Sequence, residues 1–193
     1  PERPADGIYP GVSFEVYHRW NAASSSRLKD MSRSAAYCRE RIDNPSESTP
    51  AMMEGTATHA ALFEPDTFDA RYVVVGTCAA TKKDGSPCGN AANRVVDGEG
   101  YCGVKGHAPD GEPDPRIPLT EDQHAAIVAR IEAVRALPRA ARLLDSLVHR
   151  ELSILWTDPE TGAACKARID GLAEVGDRRI LLDAKRTKDA HPD

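Results

Sequence analysis

Two alternating segments near the end of the chain constrain its fold more than any other feature. Residues 165–175 and 179–185 alternate apolar and polar side chains, and Gly176-Asp177 separates the two segments. A break of this kind predicts a tight β-hairpin with a two- or four-residue loop, and such a loop fixes which residues face each other. The predicted facing pairs, all on one face of the hairpin, are Asp170 with Asp183, Arg168 with Lys185 and Leu172 with Leu181.

Two facing carboxylates need a cation, because the β-carbons of facing residues lie about 4.5–5.5 Å apart and like charges there repel. A divalent metal between Asp170 and Asp183 would remove the repulsion, and magnesium favours one or two carboxylates with retained waters and phosphate oxygens. Lys185 would lie about 7 Å further along the strand, within reach of a water or phosphate on the metal. The alternative interpretation is a solvated sheet surface of mixed charge.

The rest of the chain predicts helices and two further strands. Helical spacing of Leu28, Met31, Ala35 and Cys38 after the potential N-caps Ser24–Ser26 predicts one helix over 25–42 with a basic outer face. The other predicted elements are a helix over 51–63 closed by Glu64-Pro65, a strand over 72–75, a helix from a Thr120/Gln123 capping box to about Pro138, a short basic helix with Arg139 and Arg142, and a strand over 151–156 that turns at 158–162.

Composition changes abruptly over residues 76–116, which are rich in Gly, Pro, Asn and Asp and hold three of the five cysteines. This segment is interpreted as an insertion, since the remaining chain is still long enough for a complete domain. Within it, three thiols and one imidazole form a tetrahedral ligand set for structural zinc, and four protein ligands leave no open position. Free thiols in a flexible loop are the alternative. The four residues are Cys78, Cys88, Cys102 and His107; Cys38 and Cys165 are predicted to be core residues.

Hydropathy excludes a membrane-spanning protein, and the net charge limits how the chain could contact nucleic acid. The 193 residues carry a net charge of −5, so a general electrostatic attraction to nucleic acid is not expected and any DNA contact must come from local patches. No apolar run approaches the roughly 18 residues of a membrane span. The odd cysteine count and the lack of a recognisable secretion leader favour a reducing, cytoplasmic location.

Several motifs resemble known nucleases. The segment Gly55-Thr56-Ala57-Thr58-His59-Ala60-Ala61-Leu62-Phe63-Glu64-Pro65 resembles the GTAxHxxLLEP segment of the RecE-like (exodeoxyribonuclease VIII) exonucleases. Ile169-Asp170 followed by Asp183-Ala184-Lys185 resembles the D…(D/E)xK signature of the PD-(D/E)xK superfamily, with isoleucine in place of the nominal proline. Further segments resemble the same family in the same order: Tyr17-His18, 24–28, 151–156, 158–162 and 167–171.

The resemblance implies a fold and an activity. The implied fold is α/β (α+β): a restriction-endonuclease-like core with a central mixed sheet, an antiparallel catalytic hairpin flanked by helices, and a small zinc-bound insertion, in one domain over 1–193. The implied activity is a Mg²⁺- or Mn²⁺-dependent DNA exonuclease of phage-type recombination that hydrolyses linear double-stranded DNA in a bacterial or phage-encoded setting. A single-strand annealing protein is an expected partner, and oligomerisation stays open. The alternatives are a noncatalytic DNA- or protein-binding module on a nuclease scaffold and a RecB-like structure-specific nuclease.

The resemblance also implies roles for individual residues. His59, Asp170, Asp183 and the backbone carbonyl of Ala184 match metal ligands, Lys185 matches the catalytic lysine, and Glu151 is an outer carboxylate of the site. Glu64 is interpreted as a helix-end group. Family members continue beyond the catalytic lysine, whereas eight residues follow Lys185 here, so a missing carboxyl-terminal part is expected. The candidate phosphate contacts are Arg27, Lys29, Arg33, Arg139 and Arg142.

Overall fold

The computed structural model describes residues 3–45 and 49–185, which divide into two compact units. Unit 1 comprises the described residues within 1–49 and 139–193, and unit 2 comprises residues 50–138. In chain order the elements are β1 (Gly7–Tyr9), α1 (Phe14–Arg19), α2 (Ser25–Arg33), α3 (Ala35–Asp43), α4 (Pro50–Phe63), α5 (Pro65–Arg71), β2 (Tyr72–Val75), β3 (Arg94–Val96), β4 (Glu99–Tyr101), β5 (Ile117–Thr120), α6 (Glu121–Arg135), α7 (Pro138–Asp145), β6 (Leu147–Thr157), β7 (Ala164–Val175) and β8 (Arg178–Leu182).

The described residues form a mixed α/β structure, which confirms the predicted mixed class. The parallel and antiparallel strands lie in separate sheets, however, and not in one central mixed sheet. A restriction-endonuclease-like core and a single domain over 1–193 stay predictions. Over the described ranges, every helix is too short or too polar to cross a membrane.

Unit 1 is built on an antiparallel sheet with the strand order β1-β6-β7-β8. Its hairpin turns at Gly176-Asp177, where Val175 pairs with Arg178, and Leu172 pairs with Leu181 as predicted. Gly176 has a φ of 60°, which suits a two-residue hairpin loop. The sheet packs against α1 through a buried cluster of Tyr17, Trp20, Ala22 and Leu155.

The single helix predicted over 25–42 is wrong, because the chain breaks at Ser34. Ser34 is extended (φ −173°, ψ 157°); its N–H donates to the Asp30 carbonyl at the end of α2, and its hydroxyl accepts from the Tyr37 N–H at the start of α3. One serine therefore caps both helices, which periodicity alone does not reveal. The regularly spaced apolar residues of this predicted helix are also mostly not buried. Leu28 and Met31 are more than half exposed, and Cys38 is the residue that is buried.

Unit 2 confirms most of the helices and strands predicted for it. Helix α4 covers the expected 51–63, β2 pairs in parallel with β5, and both hydrogen bonds of the Thr120/Gln123 capping box are present. Helix α5 was not expected; it begins at Pro65, a residue whose fixed φ suits the first helical position. The core of the unit is a buried cluster of Ala57, Ala60, Tyr72, Leu119 and Ile127.

The predicted insertion, residues 76–116, is the connection from β2 to β5. It contains the hairpin of β3 and β4, whose turn Asp97-Gly98 has positive φ at both residues (53° and 83°), as a type I′ turn requires. A β-carbon on Gly100 would lie 2.7 Å from the Ala92 β-carbon, so this position admits glycine alone. Whether the segment is an insertion into a nuclease domain stays a prediction.

Candidate functional site

The four predicted zinc ligands converge in unit 2. Cys78, Cys88 and Cys102 are buried and His107 is half-buried, and one ligand atom from each lies within 4.8 Å of all the others. Cys88 Sγ and Cys102 Sγ are 3.7 Å apart, whereas His107 Nδ1 is 3.6 Å from Cys78 Sγ and 3.3 Å from Cys102 Sγ. All five cysteines, including Cys38 and the half-buried Cys165, are free thiols.

These spacings match the edges of a zinc tetrahedron. Zn–S bonds of about 2.3 Å and Zn–N bonds of about 2.0–2.1 Å put the sulfurs about 3.8 Å apart and a sulfur and a nitrogen about 3.6 Å apart. The sulfur–sulfur distance and one sulfur–nitrogen distance agree within about 0.1 Å, and the other is about 0.3 Å shorter. The buried Cys₃His cluster is therefore suited to a structural metal such as zinc, with no position left for substrate.

Backbone amides prepare two of the thiols for a metal. The N–H of Val104 donates to the Cys102 sulfur and lowers the pKa of that thiol to about 6, with a further contact from the Asn90 side chain at 3.7 Å. The N–H of Asn90 donates likewise to Cys88 and works to lower its pKa, but burial and the side chains of Cys102 and Cys78 raise the pKa of this thiol overall. Donors of this kind stabilise thiolates and orient them toward the metal.

In unit 1 the pairing of β6 with β7 brings two carboxylates together, and they are not the pair predicted from the hairpin. The register of β7 with β8 is the predicted one, but the ladder ends at Gly171 and Leu182, one pair short of Asp170 and Asp183. Asp170 Oδ2 accepts a hydrogen bond from the Ala184 N–H at 2.7 Å. The carboxylate that approaches Asp170 is that of Glu151 on the neighbouring strand β6. Their oxygens lie within 4.8 Å of each other, and both residues are half-buried.

Arg168 and Lys185 lie beyond the end of this ladder, and each has another partner. Arg168 Nε donates to Glu151 Oε2 at 2.5 Å, and its Nη1 donates to the Val12 carbonyl and the Ser153 hydroxyl. Lys185 Nζ donates to Asp183 Oδ1 at 2.6 Å, and this hydrogen bond raises the pKa of Lys185. Because both side chains of this second pair are exposed, it is open to exchange with solvent or substrate.

Glu151 occupies a strained backbone position. Its φ of 52° is left-handed, although it lies inside β6 and carries a full side chain. Such a conformation costs of order 1–3 kcal/mol and persists where surrounding contacts impose it. Here the ion pair with Arg168, with both side chains about 85% buried, fixes the Glu151 carboxylate toward Asp170. No sequence pattern marks this conformation.

A cavity of about 400 Å³ lies beside the start of α2 in unit 1. Three cations, Arg27, Lys166 and Arg168, line it, whereas Asp30 is the one acidic residue among the described residues of its wall. Ser24–Ser26 contribute hydroxyls at the amino-terminal end of the helix. The cavity is therefore electropositive, which suits an anion.

Lys166 lines this cavity, and the sequence patterns did not predict it as a site residue. It is 3% exposed, and its Nζ donates to the carbonyls of Tyr17, His18 and Trp20 at 2.9–3.1 Å. Burial lowers its pKa to about 8. Burial and the neighbouring cations also lower the pKa of His18. The only sequence signal for this residue was a lysine within a strand of alternating apolar and polar residues.

The remaining predicted site residues are described within their own units. His59 is half-buried on α4 of unit 2, with its ring 4.8 Å from that of Phe63, and its metal role stays a prediction. Lys29 is exposed on α2, Arg33 donates to the Tyr37 hydroxyl at 3.0 Å, and Glu64 is ion-paired with Arg71. Arg139 and Arg142 are exposed on α7.

No protein-family model matches the chain, and no curated protein matches it.

Proposed function

We propose that the chain is a metal-dependent nuclease of the PD-(D/E)xK type, with the carboxylates of the β6–β7–β8 sheet as its catalytic centre. The observation that carries the proposal is the approach of Glu151 and Asp170, whose oxygens lie within 4.8 Å on adjacent strands. Two half-buried carboxylates at this distance repel each other unless a cation lies nearby, and oxygen ligands of this kind suit Mg²⁺ or Mn²⁺. Asp183, two residues before Lys185, would supply a further oxygen.

Each residue has a distinct part in phosphodiester hydrolysis. Asp170, Glu151 and Asp183 would hold the metal, which when bound lowers the pKa of a coordinated water and polarises the phosphate. Arg168 keeps the Glu151 carboxylate in place through the 2.5 Å ion pair. Lys185, released from Asp183, would orient the attacking water or neutralise charge that develops on the phosphate. The Ala184 N–H fixes the orientation of Asp170.

The electropositive cavity supports a nucleic-acid substrate. Phosphate groups are bound by Arg and Lys side chains, hydroxyls and helix amino-termini, and the cavity offers all of these through Arg27, Arg168 and Ser24–Ser26. Arg168 lines the cavity and also contacts Glu151, so phosphate binding and the carboxylates share one side chain. Lys29, Arg33, Arg139 and Arg142 are proposed as further contacts along the backbone.

The narrower assignment rests on the resemblance of the motifs. It is an exonuclease on linear double-stranded DNA, with His59 as an additional metal ligand, the Ala184 carbonyl as another, and a single-strand annealing protein as partner. A RecB-like structure-specific nuclease uses the same carboxylates, so only the choice of substrate separates the two.

Digestion of end-labelled linear duplex DNA and closed circular DNA tests the proposal. With Mg²⁺ the chain should degrade the linear DNA and spare the circle; without metal it should do neither. Asp170→Asn and Lys185→Ala should slow degradation by about 10²–10⁴-fold. Asp177→Asn, an exposed aspartate in the turn of the same hairpin, is the matched control and should retain wild-type activity.

Three results would change the conclusion. Equal degradation by wild type, Asp170→Asn and Lys185→Ala would remove these residues from the mechanism. Cleavage of the circle would indicate an endonuclease. Absence of degradation with Mg²⁺ and with Mn²⁺, including by a chain extended at its carboxyl terminus, together with retained DNA binding in a mobility-shift assay, would support the second candidate.

The second candidate is a noncatalytic binding module, and the cysteine cluster is the observation that favours it. Small zinc-bound segments present rigid loops, and this one carries the exposed basic residues Lys82, Lys83, Arg94 and Lys105. Replacing these four with alanine should weaken DNA binding uniformly and reduce its salt dependence if the segment contacts DNA.

A further inference from the structure

An apolar groove runs between α5 and α6 in unit 2. On α6, Ile127, Val128 and Ile131 follow the i, i+1, i+4 spacing of one helical stripe, and Phe68 on α5 forms the opposite wall. We refer to these four residues, with Asp69 and Glu132 at the rim, as the α5–α6 groove. Ile127 is 1% exposed and anchors the floor, whereas Val128 is 40% exposed at the mouth. The groove thus offers an apolar surface on a well-packed base.

The volume of the groove limits what it can hold. It encloses about 230 Å³, whereas sites for cofactors and drug-sized ligands span about 300–1,000 Å³. A volume of this size accepts one or two apolar side chains. A protruding side chain of a peptide therefore fits better than a small molecule that must be enclosed on all sides.

The charges around the groove are predominantly negative. Helices α5 and α6 carry five acidic and three basic residues, and two of these arginines are neutralised by carboxylates outside the two helices, Arg71 by Glu64 and Arg130 by Glu54. Asp69 and Glu132 lie exposed on opposite sides of the mouth. An occupant with lysine or arginine beside its apolar anchor would be complementary to this rim.

We propose that the α5–α6 groove binds a basic, amphipathic peptide segment of a partner protein. One or two apolar side chains of the segment, such as leucine, methionine or phenylalanine, would fill the space above Ile127 and Val128. Lysine or arginine residues one turn away would contact Asp69 and Glu132. Grooves of this kind take an amphipathic helix through anchors at helical spacing. This surface is independent of the carboxylates proposed for catalysis.

A displayed library of random peptides, selected against the full-length chain, tests the proposal. Enriched sequences should combine an apolar anchor with lysine or arginine, and labelled copies should bind with an affinity that falls as salt rises. In methyl NMR spectra the selected peptide should shift the signals of Ile127, Val128 and Ile131.

Variants at exposed positions distinguish specific binding in the groove from non-specific binding. Val128→Arg should weaken binding at least about tenfold, since it places a charge at the anchor position. The pair Asp69→Lys and Glu132→Lys should weaken it at least about fivefold by reversing the charge of the rim. The matched controls in unit 2 are Val74→Arg, at a valine that is 45% exposed, and Glu112→Lys, at an exposed acid; both should bind like wild type.

Several outcomes would overturn the proposal. These are failure of the library to enrich, enrichment of peptides without basic residues, equal weakening by Val128→Arg and Val74→Arg, or methyl shifts outside the groove. Self-association of the chain that Val128→Arg abolishes, with no peptide bound, would assign the groove to a second copy instead. Each variant is first checked for the wild-type melting temperature, so that loss of binding is not loss of fold.

Discussion

The cysteine cluster and the carboxylate site of the β6–β7–β8 sheet are two candidate metal sites built in opposite ways. The carboxylate site, called the hairpin below, consists of Glu151, Asp170 and Asp183. In the cluster, four ligand atoms converge at close to tetrahedral spacings, three of the residues are buried, and backbone N–H groups donate to the sulfurs of Cys88 and Cys102. In the hairpin, each carboxylate already has a partner: Glu151 has Arg168, Asp170 has the Ala184 N–H, and Asp183 has Lys185. The cluster is closed, whereas the hairpin has an exposed end.

This difference separates a structural metal from a catalytic one. A structural site is filled by protein ligands alone, and its metal contributes to folding. A catalytic site keeps room for water and substrate, and its ligands must give up other partners when the metal binds. The hairpin should therefore bind its metal more weakly, because Mg²⁺ competes with Arg168 and Lys185 for the carboxylates.

The largest expected effect is loss of zinc from the cluster. Cys88→Ser removes one of four ligands, so the purified variant should lack the one zinc per chain expected for wild type, and unit 2 should lose much of the roughly 10–16 kcal/mol that such metals contribute. Metal analysis and far-UV circular dichroism measure this. Cys165→Ser, a half-buried cysteine outside the cluster, should keep zinc and melting temperature. A zinc-free wild type that melts like Cys88→Ser would contradict the comparison.

A smaller effect is expected when the buried ion pair of the hairpin is broken. Arg168→Ala leaves the Glu151 carboxylate, 15% exposed, close to Asp170, and removal of one partner of a buried pair costs about 3–5 kcal/mol. Tryptophan fluorescence during urea unfolding measures unit 1, since both tryptophans, Trp20 and Trp156, lie there. The double variant with Arg168→Ala and Glu151→Gln should recover part of the lost free energy of unfolding. If the double variant loses the sum of the two single effects, the two side chains are not coupled.

Magnesium should stabilise unit 1 by an amount set by mass action. At a concentration one hundred times its dissociation constant, a ligand of the folded state contributes about 2.7 kcal/mol. The same fluorescence measurement should show this gain in wild type and in Asp177→Asn, and no gain in Asp170→Asn. An equal gain in all three proteins would mean that Mg²⁺ binds elsewhere, so that the carboxylates of the hairpin would not be a magnesium site.

The smallest expected effect concerns the turn that connects β6 to β7. The Thr161 hydroxyl and the backbone N–H groups of Thr161 and Glu160 donate to Asp158 Oδ1 and lower the pKa of that carboxyl. The lowered pKa stabilises the fold above the unfolded value of 3.8, and this contribution is lost as the pH falls through the folded value. Asp158→Ala should therefore be slightly less stable than wild type at neutral pH, and the gap should close as the pH falls below 3.8 and through the folded value. Asp177→Ala, at an exposed position in the turn between β7 and β8, is the matched control.

Local chemistry explains which parts of the fold the sequence predicts. Two-residue periodicity and a Gly-Asp turn correctly predict the pairing of Leu172 with Leu181, and the Thr120/Gln123 spacing correctly predicts the start of α6. The convergence of the four zinc ligands also follows from residue type and order. In each case the determining interactions are close in sequence or repeat regularly.

The errors arise where one atom decides between two local structures. Ser34 fits either a helix interior or a cap, and the pattern of apolar residues does not distinguish them. The end of β8 at Leu182 depends on whether Asp170 accepts from the Ala184 N–H or faces Asp183. Two further features depend on residues that are far away in the chain: the left-handed backbone of Glu151 and the contacts of Lys166. A single sequence does not show which distant residues come into contact.

The ammonium of Lys166 has a consequence for the order in which the chain folds. It joins β7 to the carbonyl of Tyr17, 149 positions earlier, and Arg168 reaches Val12 across 156 positions. Unit 2 is continuous in sequence and lies wholly between these partners. During synthesis, unit 2 can therefore fold while α1 still lacks its sheet, and unit 1 closes only after residue 166 has left the ribosome. Long-range closure of this kind is slow, so substitution of Lys166 should lengthen the period in which the apolar residues of α1 are open to chaperones and to aggregation.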